Sequence, residues 1–559
     1  MRSLRSTLLS LALVTFHLPA ALAEPPAAPD LLTVAERSGF KATALHADVV
    51  ALLDALASSS PLARRASLGT SGEGRDLPMI IMADPPVATA AQAREQIDSH
   101  GKLLVLAIGN IHAGEVEGKE ALPMLAREIL AGDPKNPGQP HPLLKHLIIA
   151  FAPIYNADGN ERVSKTNRPG QIGPEDGMGI RENAKGLDLN RDFVKVEASE
   201  TAGLVKFFVE WDPHVFVDCH TTNGSYHRHI ITYAGPKLPA GDAALNRYAF
   251  ETWFPALKAS FDASTGQSAN WYGSYDGVFG QAERSHNHWQ TFPAEARFGT
   301  NYVGLRNRLS ILSEAYSYSP YKDRVLATRD FVRCILTLAA ENRDVIIKLA
   351  KDADNRAIAA GNDVADANDT VAIRTKAVAH AQKITIRGFE EETKDGRSHS
   401  TGKHADYQCD LIDKWEPTLS VVRPWAYVLA HADGIEPVVS KLRQHGIRVD
   451  EIPGGANLIV TELTVAEITQ ASRPFQGHVL AMVDVNERPE ASVAFGNRSY
   501  LVRTGQPLGS LACYLLEPSC QDGLCAWNYF DKWLKPGEVL PVYRLMKPLD
   551  GFPAAVPAK

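Results

Sequence analysis

KLLVLAIGNIHAGEVEGK, from Lys102 to Lys119, is the stretch of this sequence that decides the fold. Leu103 to Ile108 form a continuous apolar run, rich in Leu and Val and short enough to be a strand buried on both faces of an α/β sheet. A helix is predicted to follow, from Glu117 to Leu130. His112 and Glu115 therefore lie between the end of a strand and the start of a helix, where α/β proteins bind ligands and cofactors.

His112 and Glu115 are three residues apart, so an imidazole nitrogen and a carboxylate can reach one metal ion from a single turn of backbone. The same kinds of residue follow two further predicted strands, which lead into His220 and Glu314. Two histidines and one carboxylate, with a fourth position left for water, are the ligand set of hydrolytic zinc sites. The sequence therefore predicts a metal site at one edge of the sheet.

Predicted strands and helices alternate up to about residue 350, which indicates an α/β domain with a mixed, largely parallel central sheet flanked by helices. Arg65 to Ala83 is predicted to open it as a hairpin. Ser164 to Lys185 has little periodicity and is predicted to be a long ordered loop beside the site. Further strands are predicted at Leu147–Ile154, His214–Val217 and Leu309–Leu312, and helices at Leu45–Leu56, Glu200–Trp211 and Leu245–Phe261, the last kinked at Pro255.

A change of composition from Asp352 to Asp369, towards Asp, Asn, Ala and Gly, marks a predicted domain boundary. Shorter elements follow, at Ile384–Phe389, Leu419–Val422, Ala426–Leu429, Ile435–Gln444 and Arg448–Ile452. The predicted organisation is a signal peptide over residues 1–23, a catalytic domain over 24–350, a linker over 351–380 and a smaller α+β C-terminal domain over 381–559.

The first 23 residues are typical of a secretory signal peptide. Arg2 and Arg5 precede an apolar stretch from Leu8 to Leu18, and Ala21-Leu22-Ala23 forms a cleavage site with small outer residues. The apolar stretch is too short for a membrane anchor. We therefore expect a periplasmic or secreted protein whose mature chain has no membrane span.

The charge of the chain bears on its possible partners, and its cysteine content bears on disulfide formation. A formal net charge of −7 without a long basic run argues against a nucleic-acid partner. An exported protein with six cysteines can form disulfides, and Cys520–Cys525 is the favoured pair.

Several motifs together resemble the zinc metallocarboxypeptidases of the carboxypeptidase A type. They are SGEGR (71–75), GNIHAGE (109–115), NADG (156–159), RENAKGLDLNRDF (181–193), VDCH (217–220) and LSILSEAYSY, in order between Ser67 and Tyr318. YLLEPSCQDGLCAWNYFD (514–531) is similar to the tail of exported bacterial relatives. The resemblance implies a zinc carboxypeptidase-like fold for the first domain and leaves the role of the C-terminal domain open.

The resemblance also implies roles for individual residues. His112, Glu115 and His220 would hold one zinc ion, and Asp188 would accept a hydrogen bond from His112 and fix its tautomer. Glu314 would be the general base, with Glu295 as the alternative, and Arg181 would stabilise the oxyanion, with Arg168 as the alternative. The substrate-binding residues would be Asn190 and Arg191, which grip the terminal carboxylate, and Tyr302, a candidate for the family's mobile tyrosine.

The predicted function is that of an exported zinc metallocarboxypeptidase acting on peptides with a free C-terminal carboxylate. One alternative is a zinc peptidase or amidase that acts on peptidoglycan stem peptides; another is a catalytically silent binding protein on the same fold. Two departures from the family leave the side-chain preference open. Gly114 stands where the pancreatic branch has Arg, and His227-Arg228-His229 is unlike the digestive members.

Overall fold

The computed structural model describes residues 31–275, 285–362, 368–394, 396–452 and 454–549. The predicted signal peptide lies outside these residues, so its structure is not described. Within these ranges no helix is both long enough and apolar enough to cross a lipid bilayer. The described residues from Leu31 onward form one compact unit.

Helices and strands alternate over the first two thirds of the chain. The strands are β1 (Ala63–Thr70), β2 (Asp76–Met82), β3 (Leu103–Gly109), β4 (Leu147–Ala152), β5 (Val215–Thr222), β6 (Ile231–Ala234), β7 (Ala269–Trp271), β8 (Ser274–Tyr275), β9 (His288–Gln290) and β10 (Leu309–Tyr316). The helices are α1 (Val34–Arg37), α2 (His46–Ser59), α3 (Ala90–His100), α4 (Glu117–Leu130), α5 (Ala157–Asn160), α6 (Ser199–Trp211), α7 (Ala243–Tyr248), α8 (Phe254–Thr265), α9 (Gly299–Leu305), α10 (Tyr321–Glu341) and α11 (Arg343–Asn362).

An eight-stranded sheet forms the centre of this part, in the order β1-β2-β4-β3-β5-β10-β6-β7. The inner strands β4, β3, β5 and β10 are parallel, whereas β2 and β6 pair antiparallel with their inner neighbours. Every residue of β3 is buried, since both faces of the strand are covered. The mixed sheet, the β1–β2 hairpin and helix α4 are as the sequence predicted.

Strands β5 and β10 are longer than predicted. Both continue through their polar residues, so His220 and Glu314 lie within strands and not beyond their ends. The reason is that β10 has partners on both sides. Glu314 lies opposite His220 of β5 and opposite Thr232 of β6, and this pairing keeps the backbone extended. His220 and Glu314 are thereby held on adjacent strands in register.

Three further sheets lie in the C-terminal part. Its elements are β11 (Thr370–Val378), β12 (Lys383–Lys394), β13 (Arg397–Ile412), β14 (Lys414–Val422), β15 (Ala426–Leu429), α12 (Glu436–Gln444), β16 (Asp450–Ile452), β17 (Ala456–Gln470), β18 (Ala481–Phe495), β19 (Ser499–Arg503), α13 (Gly509–Leu516) and β20 (Val539–Leu545). Six strands form one sheet in the order β16-β19-β15-β20-β17-β18, and β11 pairs with β14. Strands β12 and β13 form a sheet with β9 and β8 from the earlier part of the chain.

The stretch predicted to be a linker, residues 351–380, contains the end of α11 and all of β11. Residues 363–367 between them lie outside the described ranges. The C-terminal part is richer in strands than in helices, and the predicted domain boundaries remain a prediction.

The predicted Cys520–Cys525 disulfide is wrong, because both residues are buried and form no disulfide. Burial raises the pKa of Cys520 well above its ordinary value and that of Cys525 to about 12. Both residues belong to the apolar core, where a thiol packs as a small hydrophobic group.

Candidate metal centre and active site

Three side chains of metal-ligand type converge beyond β3 and on β5. His112 Nδ1 lies 2.9 Å from Glu115 Oε1, and His220 Nδ1 lies 2.8 Å from Glu115 Oε2. One ligand atom of each residue lies within 4.8 Å of the other two, and all three residues are buried. Two imidazoles and a carboxylate at this spacing fit a zinc ion. The structure therefore brings together the three residues for which the sequence predicted metal binding.

The loop that carries His112 and Glu115 is closed by Asn110. This residue has a φ of 66°, a left-handed conformation that Asn adopts more readily than most residues. Its side-chain amide donates hydrogen bonds to the carbonyl oxygens of Ala113 and Glu115, at 2.9 and 3.2 Å. The buried amide thus turns the chain at the end of β3 and stabilises the loop from His112 to Glu115.

Each histidine also has a carboxylate at its other ring nitrogen. His112 Nε2 lies 3.0 Å from Asp188 Oδ1, as predicted for Asp188. His220 Nε2 lies 2.8 Å from Asp218 Oδ2, although the two groups are not aligned as a good hydrogen bond. Carboxylates in this position orient metal-binding imidazoles.

Asp218 was not among the predicted site residues. The available signal was its spacing from His220, because residues two apart on a strand share one face. Burial lowers the pKa of His220, but the Asp218 and Glu115 carboxylates outweigh burial and raise it well above its ordinary value. Burial likewise opposes ionisation of Asp188, but His112 and two arginines outweigh it and hold the Asp188 pKa well below its usual range.

Both arginines considered for the oxyanion role lie at the metal centre. Arg168 Nη2 donates to Glu115 Oε1 at 2.6 Å. Arg181 binds Asp188 Oδ2 through Nε and Nη2, at 2.9 and 2.8 Å, and its Nη1 lies 3.8 Å from Glu115 Oε1. Arg181 is thus held by two atoms, whereas Arg168 is held by one.

Gly114, the departure noted before Glu115, is explained by Arg168. A Cβ atom at Gly114 would lie 2.6 Å from Arg168 Cδ and 2.8 Å from the carbonyl oxygen of Gly179. The second contact is to backbone and cannot be relieved by a side-chain rotation. A glycine at this position therefore leaves the space through which Arg168 reaches the metal ligands.

A pocket of about 370 Å³ opens over the metal ligands. Asn190 and Arg191 line it, and the Arg191 guanidinium stacks on the ring of Phe298 at 4.2 Å. The Asn190 side-chain oxygen accepts a hydrogen bond from the backbone N–H of Gly299, at 2.9 Å. An amide and a guanidinium side by side suit bidentate recognition of a carboxylate.

Glu314 also lines this pocket, and burial raises its pKa to about 8. Glu295, the alternative general base, is not among the lining residues and forms an ion pair with Arg297 at 3.1 Å. A carboxyl with a pKa raised towards neutrality suits proton transfer, although a bound metal cation would lower that pKa.

Tyr302 is placed differently from its prediction. It is fully buried on α9, does not line the pocket, and its hydroxyl lies 2.9 Å from His445 Nδ1. This placement argues against a substrate-binding role for Tyr302. Tyr272, which the sequence analysis did not single out, lines the pocket instead. No local pattern marked Tyr272, because the strand β7 that precedes it is only three residues long.

The free energy of unfolding should depend on pH through His445, the hydrogen-bond partner of Tyr302. Burial lowers the His445 pKa to about 3, and the neutral ring bonds both Tyr302 and the carbonyl oxygen of Val194. Because the unfolded chain protonates near pH 6.5, the free energy of unfolding should fall as the pH drops from about 6.5 to about 3. One such histidine contributes a slope of about 1.4 kcal/mol per pH unit.

We therefore expect His445→Gln to reduce the slope of the unfolding free energy against pH by about 1.4 kcal/mol per pH unit, the contribution of one titrating group. Urea unfolding between pH 4.5 and 7, with a chelator present so that metal binding does not contribute, measures this slope. Equal slopes in the two proteins would contradict a neutral buried His445.

The unusual His227-Arg228-His229 segment binds the C-terminal part of the chain. The Arg228 backbone N–H donates to the carbonyl oxygen of Arg387 at 2.7 Å, and Arg228 Nε donates to that of Gly388 at 3.1 Å. The segment that differs from the digestive enzymes therefore packs against β12.

A buried centre of two histidines and one carboxylate, with a glutamate and arginines in the same pocket at the edge of an α/β sheet, is the arrangement of a metal-dependent hydrolase. Residues 49–229 match the family described as Peptidase_M14, zinc carboxypeptidase. The chain therefore contains a zinc carboxypeptidase domain of this family, and it is an enzyme of the metallocarboxypeptidase class.

Similar proteins are named as carboxypeptidases. Carboxypeptidase 2 of Trichophyton rubrum is 23% identical over 493 residues, which are 85% of this chain and 81% of that protein. Carboxypeptidase D of Mus musculus is 35% identical over 153 residues, which are 25% of this chain and 11% of that protein. A metallo-carboxypeptidase from Pseudomonas aeruginosa, solved in complex with (2-guanidinoethylmercapto)succinic acid, is 18% identical and covers 53% of this chain and 68% of its own, with a TM-score of 0.37.

Proposed function

We propose that this enzyme removes single residues from the free C-terminal end of peptides by hydrolysis at one zinc ion. The observation that carries the proposal is one pocket that contains the metal-ligand triad, Glu314 and the Asn190–Arg191 pair. The triad and Glu314 suit hydrolysis, and the amide–guanidinium pair suits a terminal carboxylate.

Each group in the pocket has a distinct task. His112, Glu115 and His220 would hold the zinc ion, which would supply a Lewis acid to polarise the scissile carbonyl and to lower the pKa of water towards neutrality. Glu314 accepts the proton of the attacking water and delivers it to the leaving amine. Arg181, held by Asp188, donates hydrogen bonds to the oxyanion that develops on the carbonyl.

Substrate selection depends on Arg191 in this proposal. Its stacking on Phe298 and its hydrogen bond to the backbone oxygen of Asn190, at 2.6 Å, fix the guanidinium plane before substrate arrives. A guanidinium that is already oriented loses less side-chain entropy when it binds a carboxylate.

Arg191→Ala is expected to lower kcat/KM for peptides with a free C-terminus by about 10- to 100-fold, since a hydrogen bond to a charged group contributes about 1.5–3 kcal/mol. Mass spectrometry of matched peptide pools with free and amidated C-termini measures the effect. The wild-type enzyme should shorten only the free pool, by single residues. Arg247→Ala, which removes an exposed arginine of α7, is the matched control and should leave both pools as in the wild type.

Two outcomes would contradict the proposal. Cleavage of neither pool by zinc-loaded wild-type enzyme would remove the general carboxypeptidase assignment and make muropeptides the next substrates to test. Equal cleavage of both pools would show that the enzyme does not select for the terminal carboxylate. The peptidoglycan and silent-binding alternatives are not favoured, because the similar proteins are named carboxypeptidases and the ligand set is present.

We also propose that the protein is exported, on the basis of the pattern of its first 23 residues. The mature protein would begin at Glu24. N-terminal sequencing of the protein recovered from its own host tests this, and a mature chain that begins at Met1 would contradict it.

A further inference from the structure

The segment from Asp188 to Glu197 carries three residues of the proposed site: Asp188, Asn190 and Arg191. Beyond the short helical turn at Leu189–Arg191 it has no regular secondary structure. Val196 adopts a φ of 46°, which is strained for a β-branched residue. Such a conformation persists only where surrounding contacts fix it.

Those contacts come from the C-terminal part of the chain. The backbone carbonyl oxygens of three consecutive residues, 194 to 196, accept hydrogen bonds from C-terminal side chains. The donors are His445 Nε2 at 3.0 Å, the Tyr529 hydroxyl at 3.1 Å and Lys441 Nζ at 2.9 Å. His478 Nε2 lies 3.0 Å from the Glu197 carboxylate. The segment is therefore held along its length by residues that follow it by more than two hundred positions.

The contact nearest the metal centre is made by Gln476. Its side-chain oxygen accepts a hydrogen bond from the backbone N–H of Asp188, at 2.7 Å. Asp188 in turn uses one carboxylate oxygen for His112 and the other for Arg181. Through Asp188, Gln476 therefore influences both the proposed metal ligand His112 and the proposed oxyanion donor Arg181.

The backbone at Gln476 indicates that its side chain has a role beyond the turn. Phe475 and His478 exchange backbone hydrogen bonds of 2.7 and 3.0 Å around a two-residue turn. Gln476 and Gly477 at the tip have φ values of 52° and 82°. Glycine or asparagine normally fills the first of these positions, so glutamine is unfavourable there for the turn itself.

The wall of the pocket that contains Phe298 is also held by the C-terminal part of the chain. The Arg297 backbone N–H donates to Asp522 Oδ2 at 2.7 Å, next to Phe298, on which Arg191 stacks. Asp522 also accepts a hydrogen bond from Trp527 Nε1 at 2.9 Å. Both residues belong to the C-terminal motif at residues 514–531, for which the sequence predicted no role.

We propose that the C-terminal part of the chain completes the active site, and that Gln476 is a positioning residue for the zinc centre. By fixing the Asp188 backbone, Gln476 keeps the Asp188 carboxylate aligned with His112 and Arg181. This inference rests on the proposed zinc site, so its test uses metal affinity as well as activity.

The test compares Gln476→Gly with wild-type enzyme in the full-length protein. Glycine suits the left-handed turn, so the melting temperature of the metal-free protein should not fall. The zinc dissociation constant, measured by competition with a chromophoric chelator, should rise about 10-fold, the lower end of the cost of losing an orienting partner of a metal ligand. Turnover of a free-carboxylate peptide at saturating zinc should fall through kcat more than through KM.

Three further variants separate positioning from a general effect on the fold. Gln476→Glu keeps an acceptor at the same reach and should restore most of the zinc affinity. Gln476→Asn tolerates the turn but is one methylene shorter, so it should behave like glycine. Arg498→Gly replaces an exposed residue that also has a positive φ, 63°, in the turn between β18 and β19, and should leave zinc affinity unchanged.

The outcomes are distinguishable. Wild-type protein that binds no stoichiometric zinc would overturn the proposed function and this inference with it. Zinc-binding wild type with unchanged affinity and kcat in both Gln476→Gly and Gln476→Asn would overturn the positioning role alone. Weakened affinity in Gln476→Glu equal to that in Gln476→Gly would also overturn it, because the acceptor would then be irrelevant.

Discussion

Replacing Glu314 with glutamine is expected to lower kcat by about 10²- to 10⁴-fold, the range that general acid–base catalysis contributes. The amide has almost the shape of the carboxylate but cannot accept the proton of the attacking water. Glu314 lies on β10 opposite His220 and faces the pocket, so no other change of packing is expected. Zinc content should remain stoichiometric, and single-turnover kinetics should locate the loss in the chemical step.

Glu295→Gln is the matched control for this experiment. Glu295 is a partly buried carboxyl, and burial raises its pKa to about 7, but it pairs with Arg297 and does not line the pocket. Its substitution should leave kcat close to the wild-type value. A large loss in Glu295→Gln together with near-normal kcat in Glu314→Gln would transfer the role of general base to Glu295.

Arg181→Ala is expected to lower kcat by about 10²- to 10³-fold, the usual effect of removing one oxyanion donor. Asp188 holds Nε and Nη2 of this side chain, so the guanidinium is oriented before the reaction begins. The same substitution removes two partners of Asp188, and the zinc dissociation constant must therefore be measured in parallel. A fall in kcat at saturating zinc isolates the effect on the oxyanion.

Arg168→Ala provides the comparison, since Arg168 binds Glu115 in the same pocket. We expect its kcat to fall less than that of Arg181→Ala, with part of the loss recovered by added zinc. Near-normal turnover in Arg181→Ala and a severe loss in Arg168→Ala would assign the oxyanion role to Arg168.

The local pattern of the sequence predicted the central sheet because apolar runs such as Leu103–Ile108 have few alternatives to a buried strand. It also predicted, for the same reason, that His112, Glu115 and His220 lie together at one sheet edge, and the structure brings them within reach of one another. It failed where neighbouring strands decide the outcome. Glu314 lies within β10 because β6 pairs alongside it, and that pairing joins segments far apart in sequence.

The remaining site residues were hidden for related reasons. Asp218 lies within β5, whereas the strand was predicted to end at Val217. Tyr272 follows a strand of only three residues, which is too short to show a periodic pattern. Gln476 lies far from Asp188 in the sequence, so no local pattern connects the two residues. The assignment of Tyr302 rested on resemblance alone, and the structure uses its hydroxyl for His445 in the core.

The pairing of β9 with β13 has a consequence for the order of synthesis. Strand β9 lies directly before the pocket residue Phe292, and its parallel partner is the end of β13, at residues 410–412. The residues that hold the Asp188 segment and the Phe298 wall are later still, between Lys441 and Tyr529. A chain still emerging from the ribosome therefore contains every metal ligand long before it contains the supports of the pocket. By the proposal made above, the pocket is fully supported only once nearly the whole chain has been made.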